Sequence, residues 1–172
     1  MLYILLESKG GVFYKQERIG VDRKPFKLYK FRSMYPDSDK KGLLTVGSRD
    51  YRITKSGYYI RKFKLDELPQ LINVLIGEMS IVGPRPEVKK YVDLYNEEQL
   101  KVLDVKPGIT DWASLRYFEE SDLLSKSADP DKTYIEEIMP AKLKINLKYV
   151  GKNNIVEDIK IILLTIKRIF IK

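Results

Sequence analysis

Alternating and helically spaced apolar positions divide the chain into an N-terminal hairpin and a series of helices. Residues 11–20 and 25–32 mix aromatic and β-branched residues with charged ones and flank the turn at 21–24, which predicts a β-hairpin. Residues 87–103 carry apolar side chains at helical spacing, and Asp129-Pro130 is typical of a helix start. We therefore expect an α+β fold: a mostly helical single domain with a small β-hairpin.

Three further stretches are less clear from their pattern. The helix that starts at Asp129 is expected to end near Met139, before Pro140. Residues 143–150 fit both alternation and helical spacing, and their length and lysines favour a helix. Residues 79–82 are expected to form an apolar turn between helices.

The C-terminal residues 155–172 are the most apolar part of the chain and predict a long helix. Lys160, Lys167 and Arg168 interrupt it, so it is too polar to span a bilayer. An amphipathic helix lying at the membrane surface and a helix packed on the core are both compatible with this pattern.

Residues 64–77 predict the helix around which the candidate chemistry gathers. Asp66 suits the N-cap, Pro69 falls in the first turn, and Gly77 suits the C-terminal end. A carboxylate at a helix N-terminus is stabilised by the helix dipole, so we expect Asp66 to be ionised near neutral pH. The i, i+3, i+4, i+7 spacing predicts one buried face, formed by Leu68, Leu71, Ile72 and Leu75.

Two adjacent carboxylates, Asp66 and Glu67, lie among basic residues in this stretch. Paired acids between cations suit a metal ion and a phosphate group. An aspartate followed by a glutamate is also ordinary at a helix start, and the stretch alone leaves both interpretations open. The neighbouring cations are Arg61, Lys62, Lys64 and Arg85, the last of them in the stiff run Gly83-Pro84-Arg85-Pro86.

Composition narrows the possible chemistry. With 44% hydrophobic and 33% charged residues, residues 1–172 suffice for one folded domain. The 32 basic and 24 acidic residues give a net charge of +8, which favours an anionic partner. The chain contains no cysteine and no histidine, so any catalysis must use Asp, Glu, Ser, Thr, Lys or Tyr. No run of eighteen apolar residues is present. Met1–Leu6 reads as the remnant of a longer, membrane-associated segment.

Five motifs in order give the chain a family resemblance. It resembles the bacterial sugar transferases, the monotopic polyprenyl-phosphate sugar-1-phosphate (phosphoglycosyl) transferases, from about residue 8 to the C-terminus. The motifs are Gln16-Glu17-Arg18-Ile19-Gly20, the run Pro25 to Met34 (PFKLYKFRSM), Leu65-Asp66-Glu67-Leu68-Pro69-Gln70-Leu71, the run Met79 to Pro86 (MSIVGPRP), and Val105-Lys106-Pro107-Gly108-Ile109-Thr110.

The resemblance implies an activity and its partners. A sugar-1-phosphate would move from a UDP-sugar to undecaprenyl phosphate, releasing UMP and initiating capsule, exopolysaccharide, O-antigen or glycoprotein glycan synthesis. Such a protein is peripheral or monotopic at the cytoplasmic face of the bacterial inner membrane. It contacts membrane lipid and no nucleic acid. The sugar, the glycan pathway and the oligomeric state stay open.

The resemblance also implies roles for individual residues. Asp66 matches the family's nucleophile, which forms a covalent aspartyl-phosphosugar intermediate, and Glu67 matches its acidic partner. Magnesium is the implied cofactor, held by Asp66 and Glu67. The implied phosphate-binding residues are Lys30, Arg61 and Arg85, with Arg116 as a substitute for an arginine that many members carry in an Asn-Gly-Arg turn.

The chain departs from the family in three places. Of the N-terminal re-entrant helix only residues 1–6 correspond. After Thr110, many members continue with Gly-Trp-Ala-Gln, whereas this chain has Asp111-Trp112-Ala113-Ser114, so its choice of sugar is expected to differ. The family's acidic residue before the last helix corresponds most nearly to Asn146.

A protein of another class is also compatible with the charge. It would be a non-catalytic basic module at the membrane surface, or a regulator within a glycan-assembly complex. The basic residues gather around acidic ones instead of forming a continuous stripe, which argues against a nucleic-acid-binding domain.

Overall fold

The computed structural model describes residues 2–8 and 10–171, and its mostly helical α+β architecture confirms the predicted class. Met1, part of the predicted membrane-segment remnant, lies outside the described residues. The strands are β1 (Phe13–Ile19), β2 (Pro25–Phe31), β3 (Ser80–Val82) and β4 (Gly108–Thr110). The α-helices are α1 (Leu2–Glu7), α2 (Lys55–Lys62), α3 (Gln70–Leu75), α4 (Lys89–Val92), α5 (Glu97–Leu100), α6 (Trp112–Arg116), α7 (Glu120–Leu124), α8 (Pro130–Thr133), α9 (Met139–Val150) and α10 (Ile155–Phe170).

Strands β1 and β2 form the predicted antiparallel hairpin, with Phe13 opposite Phe31. Alternate residues of a strand point to the same face, so Lys30 shares its face with the buried residues Leu28 and Phe26. One end of this face therefore enters the apolar core, and the other end presents a lysine.

Strands β3 and β4 pair in parallel, with Ser80 opposite Gly108. The expectation of an apolar turn at residues 79–82 is therefore wrong. The backbones approach so closely that a Cβ atom on Gly108 would lie 2.1 Å from the main-chain nitrogen of Gly83, so glycine is required there. This pairing brings the Pro-Arg-Pro run after β3 next to Asp111, which follows β4.

The helix predicted from Asp66 differs from the observed structure in two respects. Asp66 lies in a 3-10 turn, Leu65–Glu67, and α3 begins only at Gln70, so Asp66 is not its N-cap. Gly77, at φ +83°, lies just beyond the end of the helix, as predicted. The predicted buried face is wrong, because its side chains are exposed: Leu68, Leu71, Ile72 and Leu75, the last to 86%.

Polar residues occupy the buried side of α3 instead. The side-chain amide of Asn73 donates to the main-chain oxygen of Lys27 at 2.8 Å and to Glu78 Oε2 at 2.7 Å, and Asn73 Oδ1 accepts from the main-chain nitrogen of Tyr29 at 3.1 Å. Gln70 is buried beside it in the same helix. Hydrogen bonds to β2 thus orient α3 with its apolar stripe outward.

The predicted helix over residues 87–103 is divided into α4, α5 and a 3-10 turn, Lys101–Asp104. Asn96 starts α5 with a capping box, which favours a new helix over continuation of the previous one. Pro140 does not end a helix, because a π-helical turn, Tyr134–Ile138, joins α8 to α9 and places Pro140 in the first turn of α9. The helix predicted over residues 143–150 is confirmed as the second half of α9.

Helix α10 has two apolar faces. Ile161 on the inner face is fully buried with Val82 and Tyr149, whereas the outer face is exposed to as much as 76% at Phe170. Packing on the core therefore accounts for one face alone. The outer stripe consists of Ile155, Ile159, Leu163, Ile166 and Phe170. In the described part of the chain, no helix combines the length and apolarity needed to cross a membrane.

The hydrogen bonds of Asn73 predict a large effect of its removal. Asn73→Ala should lower the free energy of unfolding by about 2–4 kcal/mol, because it leaves two partly buried main-chain groups of β2 without their partner. Urea unfolding measures this, with Asn153→Ala at an exposed position as the control, expected within about 0.5 kcal/mol of the wild type. Equal stability of the two variants would contradict the role of Asn73.

Candidate active site

A cavity of about 860 Å³ lies between the hairpin, α2, the Leu65–Glu67 turn and helices α6, α7 and α10. This volume is in the range of cavities that hold ligands of nucleotide-sugar size. Arg116 is exposed at the end of α6 and does not line the cavity. The other sequence-predicted site residues all line it: Lys30, Arg61, Asp66, Glu67 and Arg85.

The Leu65–Glu67 turn directs two carboxylates into this cavity. Lys64 precedes the turn with φ +55°, a left-handed conformation that costs a non-glycine residue of order 1 kcal/mol or more. Asp66 is 4% exposed, and its Oδ1 atom has no hydrogen-bond partner among the described residues. An unpaired buried carboxylate oxygen is costly for stability, which is typical of a functional site.

Glu67 and Arg85 form a two-point ion pair inside the cavity. Arg85 Nη2 donates to Glu67 Oε1 at 2.6 Å, and Arg85 Nη1 donates to Glu67 Oε2 at 3.2 Å. Both side chains are largely withdrawn from solvent, with 15% of Glu67 and 25% of Arg85 exposed. Each oxygen of Glu67 therefore already accepts one hydrogen bond, in the planar geometry that favours arginine over lysine.

The environment shifts the pKa values of the two carboxylates in opposite directions. Burial acts to raise the pKa of Glu67, but the positive charges of Arg85, Lys30 and Lys64 outweigh it and hold that pKa well below its usual range. Burial and the neighbouring charge of Glu67 raise the pKa of Asp66. The predicted dipole effect on Asp66 is therefore wrong, because its segment is not the start of an α-helix and burial dominates.

Lys30 has a strongly lowered pKa. Burial, followed by repulsion from Arg85, lowers the pKa of Lys30 from 10.5 to about 7, although Glu67 and Asp66 act in the opposite direction. A bound anion would raise the pKa of Lys30 and favour its ammonium form, because it places a negative charge beside the amine.

The charges next to Asp66 and Glu67 favour a dianionic ligand at that end of the cavity. Four cations surround two carboxylates, so the six groups carry a net charge of +2 when all are ionised. This charge is equal and opposite to that of a diphosphate diester. The cations are Lys30, Arg61, Lys64 and Arg85, and the anions are Asp66 and Glu67. Farther along the wall, Lys142 pairs with Glu120 at 2.6 Å.

Sequence reasoning missed one residue behind the site. Asp111 is fully buried, its Oδ2 accepts from the main-chain nitrogen of Arg85 at 2.8 Å, and its Oδ1 accepts from the main-chain nitrogen of Ser114. In the sequence it stands out as a departure from the family. An aspartate three residues before Ser114 is also the signal of a helix N-cap, which it forms on α6.

A second group on the cavity wall was also not predicted. Arg18 contacts Glu87 at 3.4 Å and donates to the main-chain oxygen of Pro86 at 2.9 Å, and the Tyr134 hydroxyl donates to Glu87 Oε1 at 2.7 Å. These contacts attach the Pro-Arg-Pro run to β1 and to the π-helical turn. The hydrophobic pattern could not reveal them, because they join segments far apart in the chain.

The two carboxylates also form the candidate metal site. No group of three or more Asp, Glu, His or Cys side chains suited to a metal occurs in residues 2–8 and 10–171. Mg²⁺ commonly uses one or two carboxylates and takes its other ligands from water and substrate phosphates. The free Oδ1 of Asp66 and the remaining lone pairs of Glu67 fit that pattern.

Comparison with known proteins places this chain in a family. The family profile described as Bacterial sugar transferase matches residues 1–172, the whole chain. The chain belongs to the bacterial sugar transferase family. The resemblance drawn from the five sequence motifs is thereby confirmed.

Three relatives of this sugar transferase illustrate its similarity. The sugar transferase EpsL of Bacillus subtilis (strain 168) is 40% identical over 168 residues, which cover 98% of this chain and 74% of EpsL. The UDP-glucose:undecaprenyl-phosphate glucose-1-phosphate transferase of Escherichia coli (strain K12) is 38% identical over 174 residues, covering 99% of this chain and 35% of that protein. The UDP-N-acetylgalactosamine-undecaprenyl-phosphate N-acetylgalactosaminephosphotransferase of Aeromonas hydrophila is 37% identical over 169 residues, covering 96% and 37%. The chain thus spans little more than a third of the latter two proteins.

The environment of Lys30 gives a prediction with a defined sign. In protein treated with a chelator, the Lys30 side chain should titrate near pH 7, as measured by NMR of its Cε and Nζ nuclei. Glu67→Gln should lower this pKa further, because it removes a charge that favours the ammonium, and Arg85→Ala should raise it. Lys40, whose pKa is raised by its hydrogen bond with Asp37, serves as the reference. A Lys30 signal that titrates with that of Lys40 would refute the assignment.

Proposed function

We propose that this sugar transferase moves a sugar-1-phosphate from a UDP-sugar to undecaprenyl phosphate. The observation that carries the proposal is the pair Asp66 and Glu67, which lies in the cavity among Lys30, Arg61, Lys64 and Arg85, with Asp66 Oδ1 unbonded. The names of the Escherichia coli and Aeromonas hydrophila relatives support the same donor and acceptor classes.

The proposed reaction has two displacement steps. An oxygen of Asp66 bonds to the phosphorus that bears the sugar, and the bond from that phosphorus to the oxygen bridging the two phosphates breaks. The electron pair leaves with the bridging oxygen as part of UMP, and the phosphosugar stays on Asp66. An oxygen of undecaprenyl phosphate then attacks the same phosphorus and releases the Asp66 carboxylate. Because UMP leaves before the acceptor reacts, the kinetics should be ping-pong.

The residues around Asp66 have complementary roles in this proposal. The nucleophile must be ionised, and Lys30, Arg61 and Lys64 favour its ionised form against the effect of burial. Positive groups already fixed in the cavity stabilise the negative charge that develops on the phosphates, without reorganisation during the reaction. Arg85, held by Glu67, and Lys30 are the cations assigned to the diphosphate.

Magnesium is the proposed cofactor, with Asp66 and Glu67 as its protein ligands. When bound, Mg²⁺ would supply positive charge to the diphosphate and to the departing UMP. The protein's own contribution is to keep the two carboxylates adjacent and to leave one oxygen of Asp66 without a competing donor.

The apolar side of the cavity supports a lipid acceptor and a membrane surface. Leu68 and Leu71 line the cavity on one flank, and Ile166 and Ile169 of α10 line it on another. Leu68, Leu71 and Ile166 are each about half exposed, so the apolar wall continues onto the surface. We infer that the outer stripe of α10 and the stripe of α3 lie in the headgroup region at the cytoplasmic face of the membrane, where the polyprenyl chain would enter.

Asp66→Asn tests the proposed reaction. Wild-type protein incubated with Mg²⁺, a panel of UDP-sugars and undecaprenyl phosphate should release UMP. With donor alone it should gain the mass of one phosphosugar on Asp66. The variant should show neither, because an amide does not replace the attacking carboxylate.

Asp22→Asn, the same change in the exposed hairpin turn, is the control and should behave as wild type. Appreciable turnover by Asp66→Asn would remove Asp66 as the nucleophile. Failure of the wild type with every UDP-sugar would instead favour the non-catalytic module.

Leu163→Glu tests the membrane surface. Leu163 is 62% exposed on the outer stripe of α10 and does not line the cavity, so a charge there should weaken binding to vesicles of anionic phospholipid by about tenfold. Leu94→Glu places the same charge at another exposed leucine, outside the stripe, and should leave binding unchanged. Co-sedimentation with vesicles measures both, and equal binding by the two variants would contradict the orientation.

A further inference from the structure

Three N–H groups from different segments converge on the carboxylate of Asp111. The main-chain nitrogen of Arg85 donates to Asp111 Oδ2 at 2.8 Å, and the side-chain amide of Asn146 donates to the same atom at 3.3 Å. The main-chain nitrogen of Ser114 donates to Oδ1. Asp111 thereby connects the Pro-Arg-Pro run, the start of α6 and the middle of α9, at a position that is 0% exposed.

The contact with Arg85 uses the one main-chain donor that the Pro-Arg-Pro run possesses. Pro84 and Pro86 have no N–H group, so the N–H of Arg85 is the only main-chain hydrogen that can fix the run. Two of the run's carbonyl oxygens also accept hydrogen bonds, Pro84 O from the main-chain nitrogen of Gly108 at 3.0 Å and Pro86 O from Arg18 at 2.9 Å. The backbone beneath the Arg85 side chain is therefore held at three points.

Capping α6 does not by itself require a buried charge. Serine and asparagine cap helices about as well as aspartate does, without the cost of withdrawing a carboxylate from water. Among the described residues, no lysine or arginine forms an ion pair with Asp111. Its carboxylate accepts hydrogen bonds from three N–H groups, and one of them belongs to the arginine that faces Glu67.

We propose that Asp111 is a positioning residue of the transferase, which fixes the main chain of Arg85 so that the guanidinium stays directed into the cavity. Arg85 is clamped at its far end by Glu67 and at its near end by Asp111. When a diphosphate competes with Glu67 for the guanidinium, the near-end contact is the one that persists. This inference rests on the proposed function, because the diphosphate is the ligand of that function.

Two variants separate positioning from capping. Asp111→Asn keeps the size of the side chain, but one amide oxygen cannot accept from all three donors. Asp111→Ser keeps a good N-cap for α6 but is too short to reach Arg85 as well. Both should fold, as judged by circular dichroism and thermal unfolding, and both should lower kcat/KM for the UDP-sugar by about tenfold or more through displacement of the guanidinium.

The decisive measurement repeats both substitutions in an Arg85→Ala background. If Asp111 acts through Arg85, each should then change kcat/KM by less than about twofold, because the group that it positions is gone. Asp129→Asn is the matched control, since Asp129 caps α8 by accepting from the main-chain nitrogen of Lys132 at 3.0 Å on the exposed surface. It should leave kcat/KM unchanged.

The possible results distinguish this inference from the proposed function. If the wild type turns over and folded Asp111→Ser retains full kcat/KM, the inference is overturned and the function stands. The inference is also overturned if the Asp111 substitutions cost as much without Arg85 as with it, because the effect is then general to the fold. If the wild type releases no UMP from any donor, it is the proposed function that fails.

Discussion

The ion pair between Glu67 and Arg85 is the contact on which the arrangement of the cavity depends. It joins the Leu65–Glu67 turn to the Pro-Arg-Pro run, two segments that no regular hydrogen-bond ladder connects. Removing either partner would leave an unpaired charge with little access to water, which costs several kcal/mol. The ion pair therefore holds the two segments together. Lys30 extends from the hairpin and lies close enough for the charges of Glu67 and Arg85 to shift its pKa. The site is thus assembled by electrostatics between loops, on elements that the core has already placed.

Short-range sequence signals predict a good part of this structure. The hairpin, the end of α3 at Gly77, the Asp129 helix start and the long C-terminal helix each follow from signals within a few residues. The predicted site residues line one cavity, apart from Arg116, and of these Lys30, Asp66, Glu67 and Arg85 lie in the five motifs. The strand pair β3–β4 was missed, since three-residue strands leave no periodicity to detect.

The error at α3 has a more general cause. Periodicity identifies which residues share a helix face, and the stripe of Leu68, Leu71, Ile72 and Leu75 was identified correctly, but it does not say what the face contacts. The usual assumption is that apolar faces turn toward the core because water is the only alternative. Asn73 and Gln70 reverse this orientation by taking the buried side. A polar residue on the hidden face of an apolar helix is the sequence feature that could have signalled the inversion, and the proposed membrane surface would make it favourable.

The two adjacent carboxylates differ in environment, and that difference divides their roles. Both oxygens of Glu67 are engaged by Arg85, and its low pKa makes it a fixed negative charge. Asp66 is buried, carries a raised pKa and keeps one oxygen unbonded. A carboxylate oxygen that already accepts a hydrogen bond from a guanidinium is a poor nucleophile. A buried carboxylate oxygen without a hydrogen-bond partner is stabilised by any new bond. In the proposed reaction, Glu67 would hold cations in place, and Asp66 would be the carboxylate that bonds to phosphorus.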